Sequence, residues 1–339
     1  MARKHLILVH GRSIKPSREA LIALSHQALA SGLRRAGRQD RAPALSDGRI
    51  KVSFAYYGDI NNRILSKADA GTRNKLTAKD QAFGNAACFP SAPLEDAFAL
   101  TEQAYPRFDA ATYKKVLQQS DDWKLLDEAA DAVSLFGALL TGGLLNTWLI
   151  NQATADLGAY LTSHSIGSEI RARLSETLEA ALSDGDDICL LTHSMGCMVA
   201  YDILWKYAHM NEYAALRNRG NRVALWLTIG NPLGETGVRR NLLDGRYSED
   251  DKYPTGQIGT WANFYAQDDY VAHIERIAPI YRTMPKPGAP SSITDTKIYN
   301  CWVYQDVKNG RQTSNPHDLY GYLMNQKVAG RLADWIAAP

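Results

Sequence analysis

The sequence has little that would indicate a metal centre, a redox centre or a nucleic-acid-binding surface. Its four cysteines lie far apart and form no CxxC pair, which argues against a zinc ribbon or a dithiol motif. The 38 basic and 36 acidic residues nearly balance, and no five like charges adjoin, so a dedicated nucleic-acid surface is not expected. We therefore expect no metal, no cofactor and no nucleic-acid partner.

A secretory signal is also missing from the beginning of the sequence. Residues 1–12 read MARKHLILVHGR, with an apolar run too short for a signal-peptide core and no small-residue cleavage site. This pattern predicts a cytoplasmic protein. The 339 residues are enough for one large α/β domain or two modest ones.

What the sequence does have is a series of apolar runs that alternate with helical patterns. The runs predicted as strands are residues 5–11, 50–58, 188–194, 223–230, 261–266 and 297–304. The predicted helices cover residues 16–37, 166–182, 195–207 and 318–337. This alternation predicts an α/β fold with a doubly wound, mostly parallel sheet. Ligands of such sheets bind beyond the carboxyl ends of the strands.

One predicted strand runs directly into a serine. Residues 189–200 read CLLTHSMGCMVA, so that Ser194 lies between the strand and a helical pattern, with Thr192 and Gly196 two positions away on either side. Small residues are needed there because strand and helix pass close together, and a residue on so sharp a turn is strained. The start of the following helix favours a developing negative charge. The alternative is a serine that only caps the helix.

The THSMG segment resembles the nucleophile elbow of the α/β-hydrolase superfamily, G-x-S-x-G, with Thr192 in place of the first glycine. Residues 261–272, WANFYAQDDYVA, are similar to the strand end that carries the family's acid. By that resemblance Asp269 orients the catalytic histidine, and Asp268 is its competitor. His317, on a polar loop after the last strand, then completes the family order of serine, acid and histidine.

The same resemblance implies where an oxyanion would be stabilised. The HG pair that ends the first strand implies that the backbone N–H of Arg12 is one donor, and the residue after the serine, Met195, is the other. The other histidines fit the catalytic role less well. His193 is next to Ser194 but is expected to point away from it by strand alternation.

The resemblance covers roughly residues 4–60 and 160–339. It implies an α/β-hydrolase core formed by residues 1–60 and 160–339, with residues 61–159 as a helical cap inserted between them. Within the insertion, residues 132–150 read AVSLFGALLTGGLLNTWLI and carry no charge. Their length fits a membrane span, but their polar residues and acidic flanks argue against one.

We expect residues 132–150 to form a lid over the Ser194 pocket, with Leu140 and Leu144 in its acyl-binding wall. Ordinary core, or a peripheral membrane contact through the same segment, are the alternatives. The predicted function is hydrolysis of a carboxylic ester, either small or lipid-like. Thioester, amide or acyl-transfer chemistry on the same residues is left open, as are a non-catalytic binding protein of this fold and the oligomeric state.

Overall fold

The structure is a computed structural model that describes residues 2–68, 88–122, 155–248, 251–272, 274–286, 288–305 and 310–338. Its strands are β1 (Lys4–Val9), β2 (Lys51–Ala55), β3 (Ser120–Asp122), β4 (Asp187–His193), β5 (Val223–Ile229), β6 (Ile258–Ala266), β7 (Ser292–Ile298), β8 (Val303–Gln305) and β9 (Gln312–Ser314). Six of them form a parallel sheet in the order β2-β1-β4-β5-β6-β7, and β3, β9 and β8 form a small second sheet. The predicted α/β fold with a mostly parallel sheet is confirmed.

Helices connect and cover the strands. The α-helices are α1 (Arg18–Arg35), α2 (Gly58–Ala68), α3 (Ala92–Ala104), α4 (Ala110–Gln119), α5 (Ala155–Thr162), α6 (His164–Asp184), α7 (Met195–His209), α8 (Ala214–Asn218), α9 (Thr236–Asn241), α10 (Ala278–Tyr281), α11 (Leu319–Met324) and α12 (Gln326–Ala337). Short 3-10 helices cover Gln39–Leu45, Asn211–Tyr213, Pro232–Gly234 and Leu243–Arg246.

The central sheet is buried on both faces, which explains why its strands read as unbroken apolar runs. In β1, Ile7 and Val9 point into a core that includes side chains of α6 and α7. Leu6 and Leu8 point into the opposite core, which includes side chains of α1, α11 and α12. The helices therefore lie on both faces, as right-handed crossovers between parallel strands require.

The described part of the predicted insertion packs against the rest of the protein. Leu94 of α3, and Tyr113 and Val116 of α4, belong to the same core as α1 and α12. The boundaries of a cap at residues 61–159 stay a prediction. Leu140, Leu144 and the whole 132–150 segment lie outside the described residues. Among the helices that the structure does describe, none combines the length and apolar character needed to cross a membrane.

Two elements near the carboxyl end differ from the sequence prediction. The predicted strand at residues 297–304 is broken, because Asn300 accepts the backbone N–H of Trp302 and donates to the carbonyls of Pro316 and Asp318. The predicted helix at residues 318–337 is divided at Asn325, whose side chain caps α12. Short polar side chains often compete in this way with regular backbone pairing.

The strand order of the central sheet reverses its direction at β1 and β4. The chain passes from β1 to β2 on one side and continues to β4 on the other side of β1. At such a reversal the connections leave in opposite directions and open a crevice at the carboxyl ends of the two strands. Gly11, beyond β1, and Ser194, directly after β4, lie at these ends.

Candidate active site

Ser194 occupies a strained turn between β4 and α7. Its backbone angles, φ 54° and ψ −126°, lie in a region that residues other than glycine rarely adopt. The turn is tight enough to press α7 against β1, since a Cβ atom on Gly196 would lie 2.6 Å from the carbonyl oxygen of His10. The structure thus gives Ser194 the sharp strand-to-helix turn that its sequence predicts.

Thr192, which replaces the glycine of the family pattern, is accommodated by hydrogen bonds. Its hydroxyl accepts the indole N–H of Trp226 at 3.0 Å and donates to the sulfur of Cys197 at 3.2 Å. All three side chains are buried. A threonine therefore fits this position because neighbours on β5 and α7 satisfy its hydroxyl.

His317 lies against Ser194 in the folded protein, although 123 positions separate them in the sequence. Its Nε2 is 2.9 Å from the Ser194 hydroxyl, and its Nδ1 is 2.9 Å from each carboxylate oxygen of Asp269. A carboxylate can only accept, so the proton of the neutral imidazole lies on Nδ1. Nε2 is then free to accept the hydroxyl proton of Ser194. We call Ser194, His317 and Asp269 the Ser194 triplet.

The carboxylate of Asp269 is fixed by several donors. Oδ1 accepts the backbone N–H groups of Val271 at 2.9 Å and Ala272 at 3.2 Å. Oδ2 accepts the hydroxyl of Tyr322 at 2.6 Å. The side chain of Asp269 is fully buried, and that of His317 is 12% exposed. The buried carboxylate is thus held on both oxygens by groups outside the Ser194 triplet.

Asp268, the competing acid, faces another direction. It has a positive φ of 62°, and its carboxylate accepts the hydroxyl of Tyr113 at 3.1 Å and the amide of Gln267 at 2.6 Å. Of the two neighbouring aspartates, the structure therefore brings Asp269 to His317.

Two glycines make room for the Ser194 triplet. A Cβ atom on Gly11 would lie 2.7 Å from the Cβ of Ser194, and one on Gly230 would lie 2.9 Å from Cε1 of His317. Both distances are shorter than real Cβ contacts. Gly230, which follows β5, also has a φ of 54°, where a side chain would be strained.

The predicted oxyanion donors follow two neighbouring strands, Arg12 after β1 and Met195 after β4. Met195 is the first residue of α7, so its N–H belongs to the helix turn whose donors have no partner within the helix. That N–H and the helix dipole both favour negative charge beside Ser194. The role of Met195 as an oxyanion donor stays a prediction.

Arg12 follows Gly11 beyond the end of β1, and contacts with Asp156 and Lys15 hold it in place. Its Nε is 3.3 Å from the buried carboxylate of Asp156, which also accepts the N–H of Ser13 at 2.6 Å. The ammonium of Lys15 donates to the carbonyl of Arg12. Burial lowers the pKa of Lys15 to about 8. These contacts fix the peptide, and the use of the Arg12 N–H as a donor stays a prediction.

The expectation that His193 points away is wrong. Its Nε2 lies 2.9 Å from the backbone carbonyl of His317, and the two rings are 4.7 Å apart. Successive side chains point to opposite faces of a strand only while the backbone is extended. Ser194, which follows His193, is not extended because its φ is positive. Burial, and then the nearby His317, lower the pKa of His193 well below its usual value, so His193 stays neutral and donates through Nε2.

A second serine, histidine and aspartate are hydrogen-bonded at the other end of the sheet. His5 of β1 has Nδ1 3.0 Å from Oδ2 of Asp186 and Nε2 2.8 Å from the hydroxyl of Ser53 in β2. Asp186 also forms an ion pair with Arg3 at 3.0 Å. We call Ser53, His5 and Asp186 the Ser53 triplet. No sequence motif marks these three residues, and sequence reasoning missed them.

The chain was compared with protein-family models, with curated proteins and with solved structures, and none of the three comparisons found a match.

Proposed function

We propose that this protein is a serine hydrolase that cleaves carboxylic esters. The proposal is carried by one observation, the 2.9 Å contact between the Ser194 hydroxyl and Nε2 of His317, whose Nδ1 is bonded to Asp269. A serine hydroxyl is a poor nucleophile until a neighbouring base takes its proton. The likeness of the THSMG and DYVA segments to the α/β-hydrolases supports the same conclusion.

The first half of the proposed reaction forms an acyl-enzyme. The hydroxyl proton of Ser194 moves to Nε2 of His317 as Oγ attacks the ester carbonyl carbon. Asp269 stabilises the resulting imidazolium and keeps it oriented. The carbonyl oxygen becomes an oxyanion, which the N–H groups of Met195 and Arg12 stabilise. The tetrahedral intermediate then expels the alkoxide, which leaves as an alcohol with the proton from Nε2.

The second half returns the enzyme to its starting state. Water gives a proton to Nε2 of His317 and attacks the acyl carbon, and the collapse of the second tetrahedral intermediate releases the carboxylic acid. The proton on Nε2 returns to Oγ of Ser194. The balance is one ester and one water consumed, and one acid and one alcohol released.

The proposed substrate is an ester with an apolar acyl part, small or lipid-like. Three further features stay predictions from the sequence. They are an acyl-binding wall at Leu140 and Leu144, a contact of residues 132–150 with a membrane surface, and a cytoplasmic location. Thioesters, amides and acyl transfer to other acceptors use the same steps. A panel of these substrates, offered to the same preparation, ranks them by kcat/KM.

A fluorophosphonate probe tests the proposal, because it phosphonylates only an activated serine. We expect the wild type to be labelled on Ser194 and Ser194→Ala to stay unlabelled. Ser53→Ala is the matched control, since Ser53 also contacts a histidine at 2.8 Å, and we expect it to be labelled like the wild type. Absence of labelling in the folded wild type would favour a non-catalytic binding protein.

A further inference from the structure

A buried tyrosine lies behind the Ser194 triplet. The hydroxyl of Tyr322, on α11, donates to Oδ2 of Asp269 at 2.6 Å and accepts the backbone N–H of Ala266 at 2.9 Å. Burial, and then the charge of Asp269, raise the pKa of Tyr322 well above its usual value. The phenol therefore stays protonated and acts as a donor. Tyr322 is 0% exposed, so it is out of reach of a bound substrate.

The donors around Asp269 fix the rotation of its carboxylate. Val271 and Ala272 hold Oδ1, and Tyr322 holds Oδ2. Nδ1 of His317 is 2.9 Å from both oxygens, which is a symmetric position that a rotated carboxylate would lose. Hydrogen bonds to charged acceptors are among the strong ones. Without Tyr322, the donors outside the Ser194 triplet that the described residues supply would both lie on Oδ1 and would resist rotation less well.

We propose that Tyr322 is a positioning residue for ester hydrolysis and acts through Asp269. It keeps the carboxylate in the plane that directs Nε2 of His317 to Ser194, and it takes up part of the carboxylate's charge. This inference rests on the proposed function. Tyr322 itself does not contact the substrate.

The other charged and titratable groups described around the Ser194 triplet have contacts that do not involve the Tyr322 hydroxyl. His193 of β4 is bonded to the carbonyl of His317, and Tyr270 faces the His317 ring at 5.7 Å. Asp318 accepts the hydroxyl of Tyr304 at 2.6 Å. Lys15 donates to the carbonyl of Arg12. Asp268, on the same loop as Asp269, is bonded to Tyr113 and Gln267. A change in the pH profile would therefore come from Asp269 and His317.

Tyr322→Phe tests the proposal because it removes the hydroxyl and keeps the ring. In the full-length protein with a p-nitrophenyl ester, we expect kcat to fall about 10- to 100-fold with little change in KM, as for the loss of a hydrogen bond to a charged group. We also expect the acid limb of the kcat/KM profile to move to higher pH. The unshared charge of Asp269 would stabilise the imidazolium of His317 more strongly.

Tyr201→Phe is the matched control. The hydroxyl of Tyr201 donates to Oδ2 of Asp244, also at 2.6 Å and also buried, but outside the Ser194 triplet. We expect this variant to lose stability as Tyr322→Phe does and to keep both kcat and the acid limb.

A double variant tests whether Tyr322 acts through Asp269. In an Asp269→Asn background the carboxylate is already gone. We therefore expect Tyr322→Phe to lower kcat further by less than about twofold, because the effects of residues that act as a unit are not additive. If Tyr322→Phe lowered kcat equally in the wild type and in Asp269→Asn, and left the acid limb of the kcat/KM profile in place, Tyr322 would have a purely structural role. That result would overturn the inference.

A spectroscopic measurement separates this inference from the proposed function. The Nδ1 proton of His317 should give a downfield proton NMR signal that is absent in His317→Asn. We expect Tyr322→Phe to move this signal and Tyr201→Phe to leave it in place. An unmoved signal contradicts the positioning role, whether or not the protein hydrolyses esters. Failure of ester turnover in the wild type, with a moved signal, contradicts only the proposed function.

Discussion

The two triplets have the same three residue types at almost the same distances but lie in different backbones. Serine to histidine is 2.9 Å in the Ser194 triplet and 2.8 Å in the Ser53 triplet. Ser53, however, lies within β2, whereas Ser194 lies on a turn with positive φ at the start of α7. Hydrogen-bond distances alone therefore do not distinguish a reactive serine. What sets Ser194 apart is its place at the start of a helix and at the carboxyl end of a strand, and we expect that place to make it the reactive one.

The acids also differ between the two triplets. Asp269 is held by neutral donors, namely two backbone N–H groups and a phenol. Asp186 instead forms an ion pair with Arg3, so its charge is already shared with a cation. An imidazolium at His5 would thus gain less from its carboxylate than one at His317. We expect the Ser53 triplet to contribute to stability and the Ser194 triplet to turnover.

The largest expected difference is between the two serines. Ser194→Ala should reduce kcat for ester hydrolysis by roughly 10⁶, a loss of the size that removal of the nucleophile causes in subtilisin. Ser53→Ala should leave kcat within about twofold, since the Ser53 hydroxyl contacts His5 and not His317. Steady-state turnover of both purified variants measures this, with circular dichroism as the check on folding. Comparable losses in the two variants would remove the distinction between the triplets.

The second-largest difference in kcat is expected between variants of the two neighbouring aspartates, Asp269 and Asp268. Asp269→Asn should lower kcat about 10⁴-fold, because an amide in place of the orienting carboxylate stabilises the wrong tautomer of His317. Asp268→Asn and Asp186→Asn should retain most of the turnover, since neither carboxylate contacts His317. The measurement is kcat at a pH where the wild type is fully active. A larger loss in Asp268→Asn than in Asp269→Asn would exchange the roles of the two neighbours.

A smaller effect is expected from the glycine that borders the serine. In Gly11→Ala the new methyl group would lie 2.7 Å from the Cβ of Ser194, so the serine or the loop must move. A misplacement of about 1 Å costs about 10²-fold in rate. Gly330→Ala is the control, because its nearest neighbour would be 4.0 Å away. Full activity in Gly11→Ala would show that the crevice is wider than this contact implies.

The smallest effect concerns pH and the Ser53 triplet. Burial lowers the pKa of His5 below its usual value of 6.5, so the folded protein favours the neutral ring. Its contribution to stability is present above pH 6.5 and is lost as the pH falls below that value, with a slope of at most about 1.4 kcal/mol per pH unit. His5→Asn should therefore flatten the fall in the free energy of unfolding below pH 6.5. Urea titrations at several pH values measure the slope, and identical slopes would contradict the prediction.

The sequence predicts the strands well because a sheet buried on both faces demands unbroken apolar runs. Leu190 and Trp226, for example, lie in such runs and are fully buried. Ser194 and Asp269 are predicted from the resemblance of two short segments, THSMG and DYVA, to those of the α/β-hydrolases, and the structure brings both residues to His317. His317 is predicted from its polar loop and from the order of serine, acid and histidine in that family.

Tyr322, His193 and the Ser53 triplet could not be found in this way. Their partners lie far away in the sequence, 53 positions from Tyr322 to Asp269 and 124 from His193 to His317. Only the packing of α11 and β4 brings these atoms together. The same reason explains the broken strand at Asn300, whose amide is bonded to the carbonyl of Pro316, 16 positions later.

The separation of 123 positions between Ser194 and His317 sets when the site can form during synthesis. A ribosome-bound chain that has emerged as far as residue 305 contains all six strands of the central sheet but no His317. At about 5–20 residues per second, the 123 positions between Ser194 and His317 take roughly 6–25 s to translate. Throughout that interval Ser194 is an ordinary hydroxyl. The proposed ester hydrolysis therefore has to wait until His317 has been translated and has packed beside Ser194.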